Sequence, residues 1–154
     1  MMYKTHLVFA LFIGSFLFSY FSESFLFLAL VCVGALLPDI DHPESFFGRR
    51  IKPLSIFISQ VFGHRGFFHS LFVPLLLYGI FSIIFESSFV GVSLGVGYLS
   101  HLVGDSFTQK GVNFLHPFST FRVSSFLITG GILEYVVFLG LFFTDLYLLS
   151  GYLF

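Results

Sequence analysis

Apolar residues run in long blocks along this chain, and the polar ones are confined to the breaks between them. Helices of roughly 17 to 25 apolar residues span a bilayer, and five stretches fit, at about Thr5 to Phe21, Ser24 to Pro38, Phe67 to Phe85, Phe89 to Phe107 and Phe126 to Leu149. The second is short and fits as a span only if it is tilted or covered by neighbours. The intervening stretch "ESFFGRRIKPLSIFISQVFG" is amphipathic and is expected to lie along the membrane surface. The pattern predicts an all-α integral membrane protein: a bundle of about five transmembrane helices forming one domain over residues 1–154.

The cations give this bundle a direction. All seven Lys and Arg residues, Lys4, Arg49, Arg50, Lys52, Arg65, Lys110 and Arg122, fall on alternate connections. The positive-inside rule puts those connections in the cytoplasm, with the N-terminus inside and the C-terminus outside. The opposite connections, "FSES" and "FESSF", carry only Glu23 and Glu86. The first segment could pass for a signal peptide, but no small-x-small cleavage site follows it, so its retention in the inner membrane is expected.

Composition agrees. The chain is 56% hydrophobic and 10% charged, with a mean hydropathy of +0.98. There is no Trp, so Tyr is left to occupy the interfaces. A net charge of -1 supplies no basic footprint, which argues against a nucleic-acid partner. Cys32 is the single cysteine, sits in an apolar run and reads as a small buried hydrophobe.

Ionisable side chains are costly in a membrane, by about 2.5–3.5 kcal/mol each on insertion scales, so each needs a reason. His6 begins the first segment, Asp39, Asp41 and His42 end the second, and His64 and His69 flank the start of the third. His101 and Asp105 fall in the last turns of the fourth, and Glu134 about two turns into the fifth. Under the predicted topology all of them gather at the cytoplasmic ends. His101 and Asp105, at i and i+4, share a helix face in the manner of a ligand pair. Pro38 and Pro43 bracket "DIDH" and are expected to hold it extended, presenting Asp39 and Asp41 to one side. Gly66 allows a tight turn between His64 and His69. Imidazoles and carboxylates without thiolates suit zinc, manganese or iron. Four carboxylates against one or two arginines call for two or three divalent ions. Asp145 and Glu23 read as interfacial residues without chemistry.

The stretches "THLVF", "LLPDIDHPESFFG", "FGHRGFFHSL", "GYLSHLVGDSFTQKGVNFLHPF" and "TGGILEY" resemble the YdjM-like family of LexA-regulated, membrane-bound proteins regarded as metal-dependent hydrolases. They cover residues 5 to about 137. The family is thought to be similar to the all-helical zinc-dependent phospholipase C and P1 nuclease group. Carried over, that likeness implies His6, Asp39, His64, His69, His101, Asp105 and Glu134 as metal ligands, Asp41 as ligand or general base, and His42 and Arg65 as supporting or phosphate-contacting groups. Phe68 stands where the family often has threonine. The LexA association is either one of gene regulation or a physical contact, and no protein partner is evident from the sequence.

The expectation is a phospholipase-like phosphoesterase acting on a membrane lipid phosphate ester at the cytoplasmic face, because a site at helix ends lets acyl chains stay in the bilayer. The competing expectation is a metal-ion or proton transporter using the intramembrane Asp/His cluster as a relay, which calls for polar residues at the midplane and on both faces.

Overall fold

A computed structural model of the chain describes residues 1–63, 65–86 and 88–153. Among these the regular structure is helical: α1 (Tyr3–Leu17), α2 (Ser24–Leu36), α3 (Lys52–Phe62), α4 (Phe72–Phe85), α5 (Ser88–Ser106) and α6 (Ile132–Leu153). Short 3-10 turns occupy Phe18–Tyr20, Pro38–Asp41 and Phe67–His69. The only β pairing among the described residues is two isolated bridges, Thr108 with Leu127 and Val112 with Val123, which fold the α5–α6 connection back on itself.

The five apolar stretches become α1, α2, α4, α5 and α6, and the amphipathic one becomes α3. Several ends differ from expectation, each for a local reason. The helix expected from Phe67 starts at Phe72, because Pro74 lacks an N–H and is accommodated only within a first turn. The helix expected from Phe126 starts at Ile132, because Gly130 adopts φ 77°, outside the helical region. Pro38 stops α2 at Leu36. The segments 24–41 and 132–152 are long and apolar enough to cross a membrane.

"DIDH" is not extended. Pro38–Asp41 winds into a 3-10 turn, tied by His42 N–H to the Asp39 carbonyl at 3.1 Å and by Ser45 Oγ to the same carbonyl at 2.7 Å. Residues i and i+2 of a three-per-turn helix diverge. Asp39 and Asp41 therefore face different partners instead of sharing one side.

The bundle is organised by the crossing of α2 and α5. A Cβ on Gly97 would lie 1.9 Å from the Val31 carbonyl oxygen, and one on Gly34 would lie 2.2 Å from that of Leu94. The two backbones touch where only glycine fits, the small-residue packing that lets membrane helices approach closely. Beside the crossing, Phe27, Val31 and Ala35 of α2 pack with Ala10 of α1 and Phe18, fully or nearly fully buried. On the other side of α5, Tyr98 and Leu102 pack with Val73 and Val112.

α6 leans on α1 along Glu134, Phe138, Leu141, Asp145 and Leu148, and is otherwise bare: 11% of its long apolar window is buried. Asp145 lies on the covered strip. It is buried against the bundle, and neither carboxylate oxygen has a hydrogen-bond partner among the described residues.

The crossing predicts the response to added methyl groups. Gly97→Ala should lose about 1–3 kcal/mol of stability through overpacking, or fail to fold. Gly79→Ala, on α4 with open space around it, should melt no lower than wild type in a detergent thermal-denaturation assay.

Candidate metal centre

The start of α1, the end of α2, the turn before α4, the end of α5 and the start of α6 meet at one end of the bundle. There the structure assembles His6, Asp39, Asp41, Arg65, His69, His101, Asp105 and Glu134. His64 lies outside the described residues.

His101 is fully buried, and its orientation follows from where α2 stops. The last four carbonyls of a helix have no intrahelical donor, and Ala35 contributes one of them. Its oxygen lies 2.7 Å from His101 Nδ1. A carbonyl only accepts, so Nδ1 carries the proton and Nε2 presents a lone pair. That Nε2 has no hydrogen-bond partner among the described residues. It faces Asp105 Oδ2 at 3.8 Å and Asp39 Oδ1 at 3.9 Å.

Asp41 sets His69 in a similar way. Its Oδ2 lies 3.0 Å from His69 Nδ1 and accepts the Arg65 backbone N–H at 3.0 Å. The opposite nitrogen, Nε2, is directed at Asp105 Oδ2, 3.8 Å away. A carboxylate behind a ring whose far nitrogen faces a ligand cluster is the arrangement found behind metal-binding histidines. Asp41 thus stands one layer back from Asp39, which is the carboxylate aimed at His101.

Asp105 is the hub. Its Oδ2 receives the Arg65 guanidinium at 2.6 Å, and its Oδ1 faces His6 Nε2 at 3.3 Å and the Met1 amino group. The His6 ring stacks on His101, centroids 3.7 Å apart and planes 6° from parallel. Gly104 makes room, since a Cβ there would lie 3.3 Å from His6 Nδ1.

Two groups converge closely enough to hold an ion: His6, His101 and Asp105, and Asp39, His69 and His101, each with ligand atoms within 4.8 Å of one another. With bonds near 2.0–2.1 Å, a tetrahedral ion separates its ligand atoms by roughly 3.4 Å. His101 Nε2 is 3.9 Å from Asp39 Oδ1 and 3.8 Å from Asp105 Oδ2, separations that need close by only a few tenths of an ångström. His101 has a single lone pair, so it can complete one group and not both. The residues fit a divalent cation: Arg65 and the Met1 amino group balance Asp105, but the buried His101 Nε2 lone pair faces carboxylate oxygens of Asp39 and Asp105 with no proton to share.

Arg65 and Glu134 do other work in this geometry. Arg65 is buried and sits at φ 59°, a strained backbone for a residue with a side chain. Gly66 lets the chain turn tightly there, where a Cβ would lie 2.0 Å from the Phe62 carbonyl oxygen. The Arg65 guanidinium also donates to Thr108 Oγ1 at 3.3 Å and the Gly111 carbonyl at 2.9 Å. It thereby binds the α5–α6 connection to Asp105. Glu134, in the first turn of α6 instead of two turns in, accepts the backbone N–H groups of Met2 and Gly130, each at 2.6 Å. It reaches back as the glutamate of a capping box does and clips α6 to the start of α1. His42, half-buried, lines a polar cleft of about 280 Å³ with Lys4, Asp39 and Arg49. Sequence reasoning missed Ala35, Thr108 and Gly111. Pro38 signals a freed carbonyl nearby, but no signal in the sequence says which ring will meet it.

The profile of the family described as "YdjM inner membrane protein" matches residues 1–153. The protein YvsG of Bacillus subtilis (strain 168) is 40% identical over 117 residues, covering 75% of this chain and 72% of YvsG. The inner membrane proteins YdjM of Escherichia coli (strain K12) and Shigella flexneri are each 45% identical over 87 residues, 53% of this chain and 44% of their own length. The chain thus matches less than half of those two relatives. No solved structure matches it.

Outer support and direct ligation separate by mutation. His101→Ala should abolish stoichiometric metal on the purified protein, and Asp41→Ala should weaken it by about 10–100-fold, as measured by chelator competition. Glu134→Gln should retain metal and lose thermal stability.

Proposed function

The chain belongs to the YdjM inner membrane protein family, and on that footing we propose that it is a multi-pass, metal-dependent hydrolase that cleaves a lipid phosphate ester at the cytoplasmic membrane surface. The observation that carries this reading is the His101 Nε2 lone pair, buried among Asp39, His69 and Asp105 beside an accessible polar cleft. Arg65 and the Met1 amino group balance Asp105, and a purely structural role still leaves the buried His101 Nε2 lone pair without a donor among the described residues.

Asp39, His69 and His101 would hold the ion, zinc first by its donor set, with manganese or iron also suited. His6 and the second oxygen of Asp105 leave a position for another ion. Bound there, a divalent cation supplies Lewis acidity toward phosphoryl oxygens and acidifies water. The chain's own groups do the rest. Asp39 reaches from the cluster into the polar cleft, where Lys4 and Arg49, alongside Glu44, offer cationic donors to a phosphate. His42, on the same cleft wall, can pass a proton to the departing alcohol oxygen as the phosphorus–oxygen ester bond breaks, and recover one from the water whose oxygen takes its place. Asp41 and Arg65 hold His69 and Asp105 in position. The reading gives Asp41 no part in proton transfer, because both His69 and the Arg65 N–H occupy its Oδ2.

A transporter reading draws on one residue. Asp145, buried and unpartnered in the second half of α6, is the intramembrane carboxylate that an ion or proton path would use. It lies on one helix, with no comparable histidine beside it among the buried polar residues of α6.

Purified, metal-loaded protein incubated with a panel of phospholipids should release phosphate or a phosphorylated head group, and His101→Ala or chelation should stop it. Lack of turnover across the panel, or equal turnover by His101→Ala, rejects the reading. Metal or proton flux in proteoliposomes that is lost in Asp145→Asn would establish the transporter in its place.

A further inference from the structure

Beside the candidate metal centre, sharing Met1 with the polar cleft, lies a second opening of about 320 Å³ with an almost wholly apolar lining. Phe9 of α1, Phe107 and Phe126 of the α5–α6 connection, and Leu133, Val137 and Leu141 of α6 form its walls. Its volume falls at the lower end of the range for ligand sites, about 300–1,000 Å³.

Three observations tie it to the centre. The wall residues are chain neighbours of the site: Phe107 follows Asp105 by two positions, and Leu133 precedes Glu134. Met1, whose amino group lies on Asp105, lines both this cleft and the polar one. The helix supplying three of the eight wall residues, α6, is less covered than the other long apolar segment, with Leu133 and Val137 exposed. A molecule that is anionic at one end and apolar along its length fits this pair of openings; a soluble phosphate ester would leave the apolar one unused.

The geometry points to an acyl-chain slot: the cleft between α1, the α5–α6 connection and α6 holds one acyl chain of a phospholipid whose phosphate sits in the polar cleft near Lys4 and Arg49. This rests on the lipid phosphate ester reading above and adds to it the substrate's orientation and chain-length selectivity. Chain length is then read by α6 and head-group charge by α1 and the segment after α2, so the two preferences are separable by mutation.

The test uses full-length protein in detergent with three variants: Val137→Trp and Leu141→Trp, which fill the cleft, and Ile83→Trp, on an exposed face of α4 away from it. Each is assayed for bound metal, for turnover of long-chain and short-chain phosphatidic acid, and for photolabelling by phosphatidic acid carrying a diazirine on one acyl chain. With metal retained, either cleft variant should raise KM for the long-chain lipid by about tenfold while leaving the short-chain kcat/KM near wild type, the pattern of lost substrate binding. Labelling of residues 133–141 should fall in parallel, and Ile83→Trp should change none of these. Equal loss on both substrates, or undiminished labelling, overturns the slot. If wild type cleaves no lipid, the hydrolase reading fails by itself, and labelling decides the slot. It stands if excess phosphatidic acid, but not diacylglycerol, competes with the label and Val137→Trp abolishes it; it falls if both lipids compete equally or neither does. Should the Trp variants not fold, Val137→Phe is read by the same measurements.

Discussion

The contact between α2 and α5 sets the rest of the structure. Gly34 and Gly97 remove the side chains that would hold the helices apart, so backbone meets backbone. One turn further along, the same approach lays His101 against the Ala35 carbonyl. The offset is four residues on both helices: Val31 to Ala35 on one, Gly97 to His101 on the other. Pro38 ends α2 just beyond, which leaves that carbonyl without a helical donor. Helix termination, glycine packing and the tautomer of a buried imidazole are consequences of one geometry.

Around this pivot, His69, Arg65 and Asp105 are each held by a neighbouring group. Asp41 holds His69, the turn at Thr108 and Gly111 holds Arg65, and Arg65 holds Asp105. Such support keeps ligands in place in surroundings where water cannot reorient them. The long α5–α6 connection gains its purpose here. It would be unusual as idle loop in so small a domain, and it contributes both a brace for Arg65 and a wall of the apolar cleft.

Covering is uneven. α5 is packed on several sides, whereas α6 touches the bundle along one strip and shows apolar residues elsewhere. A helix of that kind is at home in lipid and not in water. Its contact with α1 is fastened by Glu134 at one end and by Tyr152, donating to the Ser15 carbonyl at 3.1 Å, at the other. The cleft opens beside this thinly covered helix.

The sequence alone determined the helical class, the approximate position of each helix and the gathering of His and Asp at helix ends, because these depend on local periodicity, proline and the cost of charge in an apolar run. It also paired His101 with Asp105, since i and i+4 share a face whatever the tertiary fold. Only the folded chain decided the division of labour. Asp39 and Asp41 are two residues apart and look equivalent in sequence, yet a 3-10 turn sends one to His101 and the other behind His69. Glu134 had the credentials of a ligand, and the meeting of α6 with α1 made it a brace. Asp145 looked interfacial, and the same meeting buried it. Such roles depend on which elements touch, and contacts between residues far apart in the chain leave no local periodicity to read.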